Sequence, residues 1–158
     1  WMAPFLSFTA EEAWRVLGTS ESIYLETYQK VAEVDEALLA RWQRILEIRA
    51  AVNKEIENQR AAGVVGSSLQ AVVTLTSPPE DHALLASLGD DLKFVLIVSA
   101  IHLEAGSALQ VSVNASSDAK CERCWHYRTD VGHDAAYPTL CGRCVSNLYG
   151  SGEQRVHA

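Results

Sequence analysis

The chain has 158 residues, 48% of them apolar and 21% charged, with a formal net charge of −7. This is the balance of a soluble globular protein, long enough for one or two domains. No apolar run reaches the length that spans a bilayer, so no membrane partner is expected. The acidic total excludes a chain-wide basic footprint for nucleic acid. DNA is therefore not an expected partner, and any RNA contact must be local.

Trp1-Met2-Ala3-Pro4 reads as the tail of a helix stopped by proline, in a piece of a longer protein. Thr9 and Glu12 form a T-x-x-E capping box for the next helix, with Gly18 after its last turn. Phe8, Ala13, Trp14 and Leu17 are expected to face a core. Residues 19–34 read as a connector, and Asp35 as the cap of a helix running to about Ala62. At ~1.5 Å per residue that helix is roughly 40 Å long. Leu38, Trp42, Ile45, Val52 and Ile56 recur at helical spacing along it. Arg41, Arg44, Lys54 and Arg60 are interleaved with Glu47, Glu55 and Glu57. That pattern suits a solvated face laced by ion pairs, or a face on which some arginines touch phosphates.

Gly63 and Gly66 open a turn. Leu69–Thr76 then alternates as a strand, with Leu69, Ala71, Val73 and Leu75 on one side. Ser77-Pro78-Pro79-Glu80 starts a helix with Ser77 as cap, carrying Leu84, Leu85 and Leu88 and stopping at Gly89. The continuous run Phe94-Val95-Leu96-Ile97-Val98 reads as a buried central strand. Ile101–Glu104 and Leu109–Val113 read as two more strands, and Asn114–Lys120 as a linker.

Beyond the linker lie all four cysteines, Cys121, Cys124, Cys141 and Cys144, in the pattern C-x2-C-x16-C-x2-C. This spacing belongs to four-thiolate zinc sites. Each close pair lets a tight turn aim two sulfurs at one ion, and the longer arm brings the pairs together. Gly142 can take a positive φ inside the second pair. A closed tetrahedron of thiolates marks a structural zinc, since a catalytic zinc keeps one position open for water. Two disulfides would suit a much smaller secreted protein. His126 and His133, in the arm, are alternative ligands, but four cysteines already complete the shell. With the thiols assigned to one Zn2+, a reducing cytoplasm is the expected compartment.

Several stretches resemble a known family. Trp1-Met2-Ala3-Pro4 through Glu11-Glu12-Ala13-Trp14 looks like the late helices of the anticodon-binding domain of class I synthetases for branched aliphatic amino acids. Val52-Asn53-Lys54-Glu55-Ile56-Glu57 and Gly66-Ser67-Ser68-Leu69-Gln70-Ala71 are similar to the segment that follows. Lys120-Cys121-Glu122-Arg123-Cys124-Trp125-His126-Tyr127, with Cys141-Gly142-Arg143-Cys144-Val145, closely resembles the C-terminal zinc-binding peptide of bacterial isoleucyl-tRNA synthetases. The valyl and leucyl relatives lack that peptide. Residues 99–117 carry no fixed motif.

The resemblance implies an α+β chain in three parts. These are the end of an anticodon-binding helical domain with one long helix (1–63), a small α/β junction domain (64–117) and a four-cysteine zinc-binding module (118–158). It implies an isoleucine–tRNA ligase, monomeric as a whole, whose ATP-using catalytic domain lies outside this piece. The HIGH-like and KMSKS-like motifs of that domain are absent here, as are phosphate-cradling glycine loops and nucleophilic triads, so no catalytic residue is expected. The implied partner is the anticodon arm of tRNA-Ile. Its splayed bases can stack on aromatic or guanidinium planes, which makes Arg123, Trp125, Tyr127 and Arg143, with Arg41 and Arg44 on the long helix, the candidate RNA contacts. A zinc near four thiolates leaves about −2 of formal charge, which the same arginines could simply balance. Two rivals stand beside this reading. One is a module in which zinc only staples the C-terminal region to the sheet, with Trp125 packed under the metal loop. The other is the zinc finger of formamidopyrimidine-type DNA-repair glycosylases, whose proline nucleophile and helix–two-turn–helix find no match.

Overall fold

A computed structural model describes residues 1–18, 20–31 and 33–153. The chain forms two compact units, Trp1–Asp35 and Glu36–Ala158. The expected boundary after residue 63 differs from this cut because the long helix packs with the sheet that follows it.

In the first unit, α1 spans Ser7–Leu17 and begins before the expected capping box. Leu6 stands at the cap position with no side-chain bond, and Ser7 Oγ donates instead to the Ala3 carbonyl at 3.1 Å. Glu11, not Glu12, organises the neighbourhood. Its carboxylate accepts from Ser22 Oγ at 2.9 Å and from the Ile23 N–H at 3.1 Å. Gly18 does follow the last turn, and a Cβ there would meet the Trp14 ring at 2.3 Å. Only Ala10 of α1 is buried; Phe8 and Leu17, expected to face a core, are exposed. Among the described residues of this unit, one α-helix, a 3-10 turn at Ile23–Leu25 and extended chain supply no second layer to receive them.

The second unit opens with α2, Glu36–Ala61. Its buried stripe is Ile45, Ile48, Val52 and Ile56, with Trp42 partly buried and Leu38 left exposed. The stripe packs on a three-stranded sheet of β1 (Ala71–Ser77), β2 (Ala100–Ala105) and β3 (Gln110–Ala115), ordered β2-β1-β3. β1 runs parallel to β2, with Val73 opposite Ile101, and antiparallel to β3, with Val73 opposite Val113. As the central strand it buries Ala71, Val73, Leu75 and Ser77 on alternate positions. Parallel neighbours need a crossover. Here it is made by α3 (Pro79–Ala86) and α4 (Leu92–Leu96).

Some local expectations change: Leu69 and Gln70, expected in the strand, belong to a 3-10 turn, Ser68–Gln70, ahead of β1. Ser77 is the last residue of β1 rather than a helix cap, and Pro78 and Pro79 start α3 without a side-chain bond. Phe94–Val98 is not a strand. Leu92 and Leu96 are buried four residues apart on α4, and Ile97 reverses the chain in the left-handed region at φ 57°. A short apolar run fits a buried strand or a buried helical turn equally well. The crossover geometry selects the helical turn here.

After β3 the chain enters the cysteine-rich module. β4 (Ala119–Lys120) pairs antiparallel with β5 (Tyr127–Arg128), and α5 spans Gly142–Tyr149. The expected linker 114–120 is thus partly strand at both ends. Among the described residues no helix is long and apolar enough to cross a membrane.

Candidate metal centre

Each cysteine pair sits on a turn of the backbone. In the first, the Trp125 N–H donates to the Cys121 carbonyl at 2.9 Å, and the Cys121 N–H donates to the His126 carbonyl at 2.9 Å. In the second, Cys141 precedes the first turn of α5, and the Val145 N–H returns to its carbonyl at 3.0 Å. The Glu122 N–H reaches the Thr139 carbonyl at 3.1 Å and ties the two turns together. The left-handed residue expected at Gly142 is found elsewhere. Trp125 takes φ 64° after the first pair and Gly132 takes φ 79° in the arm. Gly142 serves differently: its N–H donates to Asp130 Oδ2 at 3.1 Å, and Arg128 holds that carboxylate through Nε at 2.8 Å.

The sulfurs of Cys121, Cys124, Cys141 and Cys144 all lie within 4.8 Å of one another. Cys124 and Cys141 are 3.7 Å apart. Around a tetrahedral ion with Zn–S near 2.3 Å, sulfurs are separated by about 3.8 Å, whereas a disulfide would hold them at about 2.0 Å. The donor set and its spacing therefore fit one zinc ion. Cys121, Cys141 and Cys144 are fully buried. Burial pushes the Cys141 thiol up to about 12 and raises Cys124. Burial also opposes ionisation of Cys121, but the backbone N–H groups of Cys124, Cys141 and Arg123 outweigh it and bring that thiol down to about 6. The Cys141 N–H lies 3.4 Å from Cys121 Sγ. A buried cluster that resists ionising all its members needs a cation to do so.

The histidines stay outside the cluster. His126 is buried, with Nδ1 3.2 Å from the Cys124 carbonyl and its ring edge-on to Phe94 at 5.5 Å. Burial, first among several causes, keeps its pKa below the ordinary value. His133 is exposed.

The candidate RNA contacts separate into distinct environments. Trp125 is 60% exposed, with Lys120 Nζ 5.8 Å from its ring, so it does not pack beneath the metal loop. Arg123 is exposed and turns Nη1 toward Cys144 Sγ at 3.5 Å. Tyr127 is half-buried. Arg143 is enclosed: Nε and Nη2 grip the Glu153 carboxylate at 2.5 and 2.8 Å, and its guanidinium lies 4.7 Å over Phe94. Arg44 is bound through Nε and Nη2 to Asp81 at 2.8 and 2.7 Å, and through Nη1 to Glu47 at 2.8 Å. Arg41 donates to Ser87 Oγ at 3.3 Å. Of the six, Arg123, Trp125, Tyr127 and Arg143 share the cysteine module, while Arg41 and Arg44 reach toward α3 and the turn beyond it. Ser99 escaped notice in the sequence. It lies in the stretch without motifs, and only the tertiary structure brings it against the Tyr127 backbone at 2.7 Å.

Residues 1–75 match a family described as the anticodon-binding domain of tRNA ligase. Residues 119–147 match a zinc finger found in FPG and IleRS. The isoleucine–tRNA ligase of Cupriavidus taiwanensis is 54% identical over 168 residues, taking in 100% of this chain and 17% of its own length. That of Ralstonia pickettii is 55% identical over 167 residues, again 100% of this chain and 17% of its own. That of Bordetella parapertussis is 52% identical over 171 residues, 99% and 18% respectively. The chain thus spans less than a fifth of the length of these relatives.

Proposed function

We propose, from its similarity along its whole length to isoleucine–tRNA ligases, that the chain is the C-terminal part of such an enzyme and holds the anticodon arm of tRNA-Ile. The ATP-dependent joining of isoleucine to the tRNA then belongs to catalytic domains outside these residues, in a monomeric cytoplasmic enzyme. Cys121, Cys124, Cys141 and Cys144 are the zinc ligands. The ion, when bound, neutralises thiolate charge and closes the two turns on each other. The chain's own residues do the rest. The turn after Cys124 presents Trp125 outward with Lys120 beside its ring, Arg123 on the same turn adds positive charge, and the long helix α2 adds Arg41.

One observation carries this reading. A large aromatic ring stands 60% exposed, with a lysine ammonium 5.8 Å away, on a turn where only tertiary constraint keeps a non-glycine residue left-handed. Such a ring costs stability in water and suits stacking on an unpaired base. Arg44 and Arg143 are already committed to carboxylates, so the electrostatic share falls to Arg123, Lys120 and Arg41. Few phosphates are then neutralised and the salt dependence is shallow, about 0.7–0.9 log units for each.

The test is tRNA-Ile binding by the full-length ligase, wild type against Trp125→Ala. The variant is expected to lose about 1–3 kcal/mol of binding, the range for a base–aromatic stack, with zinc content unchanged. Normal affinity in a folded, zinc-loaded variant refutes the stacking role. The zinc-staple reading is favoured by the packing of His126 and Arg143 on Phe94. It prevails if deleting residues 118–158 leaves tRNA affinity and charging unchanged.

A further inference from the structure

The two residues after Trp125 dock the cysteine module onto the α/β layer. His126 sets its ring edge-on to Phe94 at 5.5 Å. The Tyr127 N–H donates to Ser99 Oγ at 2.7 Å. Ser99 is 6% exposed. Its hydroxyl donates in turn to the Leu69 carbonyl, and its own N–H donates to the Ala71 carbonyl at 3.1 Å. One buried hydroxyl therefore joins the entry to β1, the start of β2 and β5 of the module. The local chain explains the placement. Ile97, left-handed at the end of α4, turns the backbone so that Ser99 enters β2 with its side chain under β5. The same α4 turn presents Phe94, which takes His126 and the Arg143 guanidinium.

We propose that Ser99, with Phe94 beside it, is a positioning residue for tRNA recognition: it fixes the angle at which the module holds Trp125. The proposal rests on the reading of Trp125 as a base-stacking residue. The lever is short, since Trp125 is two residues from the Ser99-bound amide, and a stacking ring loses its contact with a small angular error. Loss of the Ser99 hydroxyl takes from the Tyr127 N–H and the Leu69 carbonyl their shared partner in a half-buried seam. The module then tilts while its zinc site, which uses no atom of Ser99, stays closed.

The experiment uses the full-length ligase with Ser99→Ala, Ser99→Thr, Phe94→Leu and Trp125→Ala. Ser99→Ala is expected to raise the KM for tRNA about tenfold, the scale of one lost buried hydrogen bond. Zinc stays at one ion per chain, isoleucine-dependent ATP–pyrophosphate exchange is unchanged, and hydrogen exchange at the Tyr127 amide quickens. Ser99→Thr keeps the hydroxyl and restores the KM. A normal tRNA KM in Ser99→Ala, where Trp125→Ala raises it, overturns the positioning role alone. A normal KM in Trp125→Ala overturns the stacking reading beneath it. If Ser99→Ala loses zinc, Phe94→Leu decides, since it removes the docking ring without breaking a hydrogen bond: a raised KM supports the proposal and a normal one overturns it.

Discussion

Removing the metal, by chelation or by Cys141→Ser, should unfold residues 119–149 and spare the sheet behind them. Among the described residues, the module's hydrophobic cluster is Cys121, Cys141 and Cys144, with Cys124, Val131 and Leu140 only partly buried against them, and His126 is its one other buried side chain. Two aliphatic side chains contribute at most ~1.5–3 kcal/mol each, even when fully buried. A structural zinc contributes ~10–16 kcal/mol in small peptides, so the ion dominates the module's stability. Backbone ordering opposes folding by ~1–2 kcal/mol per residue, and with the ion gone nothing of comparable size offsets it. By contrast the core of α2 and the sheet includes Ile48, Val52, Val73 and Leu75, all fully buried and free of sulfur ligands. The assay is hydrogen exchange read by mass spectrometry on the full-length ligase, with zinc counted in parallel. The amides of Cys121, Glu122 and Gly132, bonded to the carbonyls of His126, Thr139 and Leu140, should lose protection together, while those of β1 keep theirs. Metal-free protein that retains protection across 119–149 would refute the reasoning.

Further outcomes follow from single contacts. Gly132→Ala places a Cβ 2.8 Å from the Pro138 carbonyl oxygen at a residue with φ 79°; it should cost about 1–2 kcal/mol and speed zinc loss to a chelator. Asp81 is held below the usual carboxylate range, first by its hydrogen bonds from Arg44. Its contribution is therefore present above the unfolded value of about 4 and is lost as pH falls through the folded value. With the Arg44 side chain 43% exposed, solvent screening limits this to about 1 kcal/mol. Asp81→Asn should remove that part of the acid dependence in a denaturation series, and an unchanged pH profile would count against the pairing.

The metal centre was legible because ligand chemistry is local. Two C-x2-C pairs and a long arm leave few ways to satisfy four thiols, so Cys121, Cys124, Cys141 and Cys144 could be singled out before any fold was known. Most of the buried stripe of α2 and of the alternation of β1 was readable too, since a helix and a strand impose their periods on whatever they bury, but Leu38 lies exposed, Ile48 joins the stripe and Leu69 falls outside β1. Other features needed the tertiary structure. Phe94–Val98 carries no period long enough to separate strand from helix, and the crossover between β1 and β2 makes it a helical turn. Thr9 and Ser77 have the chemistry of caps, but where an element begins depends on what packs against it, and both lie inside their elements. Arg44 and Arg143 look like free cations in the sequence. Asp81 lies 37 positions from the one, Glu153 10 from the other, and only folding brings them together. Ser99 shows the limit most clearly: a serine among unremarkable residues becomes a junction of three segments because a left-handed Ile97 turns the chain beneath the Tyr127 amide.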